Sequence, residues 1–259
     1  MYLKIQGLVI RSTPYSDHDL LLTLLTAQYG KLTVKARGAR RKNSRLIAPC
    51  QLLAYSEFTL FEKDGRYTVN EAQTIELFLG IQKDLGKLAL ATYFSQVTEV
   101  ISQEDTPTPG LLPLMLNSLH ALSKTDAPEE KVKAVFELRL ATISGYAPDL
   151  SGCAICGGLT PDLFHLSEGH LECSRCGGTR ATGIRMPIKP GVLDAMRYIC
   201  YCDPKKLFSF TLNDENYELL SAITESYLST QLERGFSALD FYKSLSAQNL
   251  LNSLGEHNV

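Results

Sequence analysis

Residues 153–176 read Cys153-Ala-Ile-Cys156, then sixteen residues, then Cys173-Ser-Arg-Cys176. Two C-x-x-C pairs at this separation have the spacing of a tetrahedral four-thiolate site, so the stretch predicts one structural zinc ion on Cys153, Cys156, Cys173 and Cys176. Two residues between cysteines let both sulfurs reach one ion from a single tight turn. Gly157 and Gly177 follow the second cysteine of each pair, and glycine takes the positive φ that such a turn often needs. Four sulfurs close the tetrahedron and leave no position for a water nucleophile, which argues for a structural site and against a metal-dependent hydrolase. His165 and His170 lie between the pairs and are expected at the surface, not on the ion. The competing reading is two disulfides or idle thiols. An odd total of seven cysteines, four of them in metal spacing, suits a reducing compartment better than a secreted disulfide framework. Cys50, Cys200 and Cys202 read as small core or surface residues.

The module, taken as 149–180, interrupts a helical domain predicted over 81–148 and 181–259. On its N-terminal side Leu85, Leu88, Ala89, Thr92, Tyr93, Val97, Val100 and Ile101 recur at helical spacing. Leu111 to Ser123 reads as a second helix, and Asp126-Ala-Pro as the cap of a third that ends at Gly145. Beyond the module, helices are expected from Pro190 to Ile199, Asn213 to Leu232 and Ala238 to Leu254. The first 80 residues differ. Leu3–Arg11, Leu20–Thr26, Lys31–Ala36, Leu52–Glu62 and Tyr67–Ile75 are short β-rich runs, and Asp64-Gly65 is a hairpin signal. Five short strands without a long helix fit a small barrel such as the OB-fold. The predicted fold is therefore α+β: an OB-fold barrel over 1–80, then an all-helical domain split by a zinc insertion.

The net charge of −2 conceals an asymmetry. Residues 1–45 hold nine Lys and Arg against two Asp and Glu, a net +7, and the remainder stands at −9. Lys31, Lys35, Arg37, Arg40, Arg41, Lys42 and Arg45 fall in fifteen residues without an acid. Side chains alternate along a strand, so Lys31, Thr33, Lys35 and Arg37 share one face before Gly38 releases the chain into a basic loop. That is the footprint of a phosphate-backbone track on a barrel, with Tyr29, Tyr55, Phe58, Phe61 and Tyr67 as candidate stacking platforms. The cysteine module has no such surplus: Arg175 and Arg180 stand against Asp149, Asp162, Glu168 and Glu172.

Enzyme signatures are missing. Gly80 to Leu88 has five residues between its glycines and no Ser or Thr, so it is not a phosphate loop. No H-E-x-x-H, G-x-S-x-G or G-x-G-x-x-G occurs, and a non-catalytic protein is expected. No apolar run approaches the roughly 18 residues of a membrane span, and the N-terminus lacks a signal-peptide pattern.

Four stretches together resemble the RecO family of bacterial recombination mediators. Residues 7–22 (GLVIRSTPYSDHDLLL) resemble its first hairpin, and 26–41 (TAQYGKLTVKARGARR) its basic stretch. Residues 145–157 (GYAPDLSGCAICG) are similar to its lead into the zinc module, and 234–245 (RGFSALDFYKSL) to its last helix. The resemblance implies a DNA repair and recombination protein that binds single- and double-stranded DNA and anneals complementary strands without nucleotide hydrolysis. It also implies loading of the recombinase RecA on strands coated by single-strand binding protein. Implied partners are RecR and the acidic C-terminal tail of single-strand binding protein, with RecF a further candidate. The implied location is the cytoplasm, at the nucleoid. A second reading stays open from the residues alone: a non-catalytic zinc-containing adaptor whose basic loop docks an acidic protein.

Overall fold

The computed structural model describes residues 1–177 and 183–256, with side chains through Gln248. Arg180 and the chain end from 257 lie outside the described residues. In chain order the first elements are β1 (Tyr2–Pro14), β2 (Leu20–Thr26), β3 (Gly30–Ala36), β4 (Tyr55–Lys63) and β5 (Arg66–Glu76). Helices α1 (Leu79–Gln82), α2 (Leu85–Ile101), α3 (Leu111–Lys124) and α4 (Glu129–Ile143) follow. Then come β6 (Asp149–Cys153), β7 (Leu163–His165), β8 (His170–Glu172), α5 (Ser174–Gly177) and β9 (Arg185–Pro187). The last helices are α6 (Pro190–Tyr201), α7 (Asp214–Leu232) and α8 (Ser237–Glu256). The chain divides into two compact units, residues 1–124 with 236–259, and residues 125–235.

The five-stranded sheet closes into a barrel in the order β1-β2-β3-β5-β4, with β4 returning to β1. This is the OB-type barrel expected from the strand pattern. Its β1 is long because its two halves serve different neighbours: Tyr2–Leu8 pair with β4, and Gly7–Pro14 with β2. A register shift between Val9 and Arg11 bends the strand between these tasks, as a bulge does. Alternation sends Ile5, Val9, Leu22, Leu24, Leu32, Val34, Phe58 and Leu60 inward to the core. Burying each such side chain contributes ~1.5–3 kcal/mol. Cys50 is part of the same core.

Closure between β3 and β5 rests on only two parallel residue pairs, Val34 with Tyr67 and Lys35 with Thr68. The rest of the β3 edge is covered by the loop after α2. The Lys31 amide donates to the Gln103 carbonyl at 3.1 Å, and the Asp105 amide donates to the Lys31 carbonyl at 3.2 Å. Gly30 permits this approach. Its φ is +60°, and a Cβ there would lie 2.0 Å from the Thr106 carbonyl oxygen.

The second unit carries α4, α6 and α7 with a four-stranded sheet of order β6-β8-β7-β9. The sequence pattern did not reveal that sheet, because three of its strands are three residues long. The start of α4 is also displaced from expectation. Asp126 does not cap it. Pro128 occupies the cap position in an extended conformation, and the helix begins at Glu129. A proline disfavours helical geometry in the residue before it, so Ala127 cannot begin the helix.

A buried ionic cluster ties α4 to α7. Lys133 Nζ lies 3.1 Å from Glu137 Oε1 and 2.9 Å from Glu225 Oε2, and donates to the Ser221 carbonyl at 3.3 Å. Thr224 donates its hydroxyl proton to Glu137 at 2.7 Å. The Lys133 and Glu137 side chains are 3% and 0% exposed. Removing one buried partner leaves the other charge uncompensated, so Lys133→Met should lower unfolding free energy by about 3–5 kcal/mol in a denaturant titration. Glu225→Gln, at a more exposed position, should cost no more than about 1 kcal/mol.

Candidate nucleic-acid interface and metal centre

The outer wall of the barrel at β3 carries a groove of about 790 Å³. It is lined by Tyr15 and Leu21, by Thr33, Lys35 and Arg37 of β3 and its exit, and by Phe61 and residues 63–68 around the β4–β5 turn. Four cations line it, Lys35, Arg37, Lys63 and Arg66, against one acid, Asp64. Tyr15, Phe61 and Tyr67 supply aromatic surface, with Tyr15 60% and Phe61 39% exposed. Of the five aromatics singled out in the sequence, Phe61 and Tyr67 line this groove, whereas Phe58 is buried in the core. Tyr29 packs against that core, and Tyr55 donates its phenol to Gln6 at 2.9 Å.

The seven basic residues of 31–45 do not act alike. Lys31 is engaged: its Nζ donates to the Glu99 carbonyl at 3.1 Å. Lys35 lies 3.0 Å from Asp19 Oδ2, with its Nζ 4.5 Å from the Tyr15 ring centroid. Arg37, Arg40, Arg41 and Lys42 are exposed at and beyond the end of β3. Arg45 lies elsewhere, lining a mixed-charge hollow with Lys4, Glu57 and Glu71.

The tip of the β1–β2 hairpin holds the basic loop in place. Asp19 Oδ1 accepts the Gly38 amide at 2.9 Å, the Arg40 amide donates to the His18 carbonyl at 3.0 Å, and the Arg40 guanidinium donates to the Ser16 carbonyl at 3.2 Å. The Gly38 amide first, and then Lys35, hold the Asp19 carboxyl below its ordinary value of 3.8. At Tyr67, burial first and then the negative charges of Asp105 and Glu62 push the phenol upward. Sequence reasoning missed Asp19, Tyr15, Lys63 and Arg66. Asp19 had one signal, as one of only two acids in the basic first 45 residues. The others are brought in by strand pairing across long sequence separations.

The four cysteines gather as their spacing predicts. Their sulfurs all lie within 4.8 Å of one another. Cys153 Sγ and Cys156 Sγ are each 3.8 Å from Cys173 Sγ. A tetrahedral ion with bonds of ~2.3 Å separates its sulfurs by ~3.8 Å, so the quartet can hold a metal ion. Parallel pairing of β6 with β8 sets Cys153 opposite Leu171 and so brings the two knuckles together. Gly157 adopts φ +72° and donates its amide to the Cys153 carbonyl at 2.8 Å, closing the first knuckle. Burial opposes ionisation of the Cys153 thiol, but the amides of Cys156, Ile155 and Cys173 outweigh it and bring its pKa down to about 6.

His165 corrects the expectation of surface histidines. It is buried and its ring stacks on His170 at 5.2 Å. His170 in turn meets Glu172 at 3.1 Å, and Arg185 meets the other Glu172 oxygen at 2.6 Å. These side chains form the polar support of the small sheet. Cys200 is buried and Cys202 is partly buried.

A closed OB-type barrel with a cationic, aromatic groove, joined in one chain to helices and a four-cysteine module, defines the class. Residues 1–78 match the family model described as "Recombination protein O N terminal", and residues 82–240 match "Recombination protein O C terminal". The chain belongs to the recombination protein O family. Among its relatives is a protein of Acetivibrio thermocellus named DNA repair protein RecO, 37% identical over 94% of this chain and 97% of its own length. Proteins of the same name from Alkaliphilus metalliredigens and Bacillus subtilis are 29% and 30% identical. They cover 95% and 88% of this chain, and 100% and 88% of their own lengths. Among the described residues no helix is long and apolar enough to cross a membrane.

Two measurements test this geometry. A group with a lowered folded pKa stabilises above its unfolded value and loses that contribution as pH falls through the folded value. The Gly38 amide chemical shift should therefore titrate with a midpoint below 3.8, and Asp19→Asn should abolish the titration. Cys173→Ser should lower the melting temperature and metal content while leaving oligonucleotide affinity within about twofold, because a closed site acts through folding.

Proposed function

We propose that this chain serves DNA repair and recombination as a non-catalytic mediator that binds DNA through its barrel. The observation that carries the reading is the groove at β3, where four cations and three aromatic rings converge beside the exposed Arg40, Arg41 and Lys42. Cations neutralise phosphate charge and aromatic faces stack unpaired bases, which is how OB barrels hold single strands. Duplex can use the same cations through its backbone alone. Annealing then follows from charge: two phosphate backbones approach each other where a dense cationic surface screens their repulsion. No nucleotide hydrolysis enters this scheme.

The cysteine quartet fits zinc, one ion per chain, as four soft thiolates at tetrahedral separations do. Its role in this reading is to order the small sheet. The family relationship further supports RecR, the C-terminal tail of single-strand binding protein and RecF as partners. It also supports recombinase loading, and a place in the cytoplasm at the nucleoid.

The test is joint charge reversal of Arg37, Arg40 and Arg41 to Glu. Single-strand binding and annealing should fall by at least about tenfold at low salt, with the melting temperature lowered by no more than about 2–4 °C, the cost of the exposed Arg40–Ser16 hydrogen bond. For the parent chain, five phosphate contacts at ~0.7 each predict a slope of about −3.5 in log affinity against log salt. Full affinity in the triple variant would overturn the proposal. Capture of an acidic protein without any annealing would favour the adaptor reading.

A further inference from the structure

The cationic track on the barrel ends abruptly. Lys31, Thr33, Lys35 and Arg37 alternate along one face of β3, and the last three line the groove, Lys35 with Asp19 beside it. Lys31 is engaged by the end of α2 and the segment that follows it, and the exposed Thr33 is tied to that segment through its hydroxyl. The backbone of the segment pairs with Lys31 on both sides, through Gln103 and Asp105. Glu104 Oε1 accepts the Thr33 hydroxyl at 3.1 Å, and the Glu99 carbonyl takes the Lys31 ammonium at 3.1 Å. Glu99 itself meets Arg11 at 3.0 Å. The close approach depends on glycine at position 30, since any side chain there would strike Thr106.

Distance makes the arrangement consequential. Thr33 and Lys35 are two residues apart on a strand, about 7 Å. That is inside the Debye length of ~10 Å at 0.1 M salt, so the charge of Glu104 acts directly on a phosphate held at Lys35. Asp105 sits beside Glu104 with its amide on the Lys31 carbonyl, and after burial its negative charge helps to push the Tyr67 phenol upward. Along this edge of β3, therefore, the neighbouring chain changes from Glu104 and Asp105 beside Lys31 to Lys63, Arg66 and Tyr67 near Lys35.

We infer that Glu104 and Asp105 form a stop at one end of the nucleic-acid track, confining a bound single strand to the stretch between the β4–β5 turn and the Arg37–Lys42 loop. This inference rests on the barrel being the DNA-binding surface. The acids repel phosphate at the Lys31 end, so the strand leaves by the basic loop. Footprint length and exit direction are set by this negative element as much as by the cations.

The experiment uses the full chain and oligothymidylates of graded length, with binding followed by fluorescence anisotropy over a salt series. Glu104→Gln with Asp105→Asn removes both charges and keeps the backbone pairing. Asparagine tolerates the positive φ of 53° at position 105. Affinity should rise roughly three- to tenfold at low salt. The gain should be larger for longer strands and should vanish near ~0.5 M salt. Glu57→Gln with Glu71→Gln, acids on the wall that carries Arg45, is the matched control and should change affinity by less than about twofold. Lys31→Gln in the parent chain should likewise change it by less than about twofold, because Lys31 lies four residues, about 13 Å, from Lys35, beyond the Debye length. Equal responses of the two acid pairs, or a gain independent of strand length, would overturn the stop. Should the double variant melt at lower temperature, Glu104→Gln alone must still give a length-dependent gain, and its failure to do so would equally overturn the stop. Charge reversal of Arg37, Arg40 and Arg41 separates the two ideas. If it spares binding, the barrel reading itself fails. If it abolishes binding while the acid pairs behave alike, only the stop fails.

Discussion

The seam between β3 and β5 is where the barrel closes, and it closes on two residue pairs. A closed barrel removes the unpaired strand edges that an open sheet would expose. Here the closing seam is short, and what covers the rest of the β3 edge determines the chemistry of the surface. On one side of the seam the acidic segment after α2 takes the free edge of β3. On the other the β4–β5 turn brings Lys63, Arg66 and Tyr67 against Lys35 and Arg37. The groove and the acidic cover of the β3 edge are two consequences of the same short pairing.

Charge on this surface is organised, not merely abundant. Asp19 accepts the Gly38 amide and pairs with Lys35, so one carboxylate both shapes the exit of β3 and offsets one of the groove's cations. The loop beyond it is thereby held by backbone and carboxylate contacts while Arg37, Arg41 and Lys42 stay exposed. Preorganised cations lose less conformational entropy on meeting phosphate than those on a freely moving loop. The cysteine module serves a different purpose. Its sulfurs converge on one another at the end of a short parallel strand pair, and the polar groups beside them are matched within the module, as Glu172 is with Arg185 and His170.

Much of this was legible in the residues. Five β-rich runs gave the barrel strands, with β2 matched at both ends, and Leu85 to Ile101 gave α2 from its period. The cysteine spacing gave the quartet outright, because metal geometry constrains sequence locally. What stayed hidden was nonlocal or short. Three-residue strands carry no readable alternation, so the sheet of the cysteine module was missed. Lys63 and Arg66 are unremarkable hairpin residues until β5 pairs with β3. Lys31 looked like the first cation of the track, but a segment some seventy residues later engages it. In the sequence the basic run divides only into a strand face, with Lys31, Lys35 and Arg37, and a loop that carries the rest. The fold sorts it into one engaged residue, one paired with Asp19, one on another wall, and four exposed at or after the end of β3.

The central claim is that nucleic acid is held by the barrel face at β3 and not by the cysteine module. Hydrogen–deuterium exchange of the full chain, with and without a saturating single-stranded oligonucleotide, tests it directly. The account predicts new protection in residues 35–42 and 61–68, with 153–176 unchanged. Protection centred on 153–176 with an unaltered barrel would contradict it.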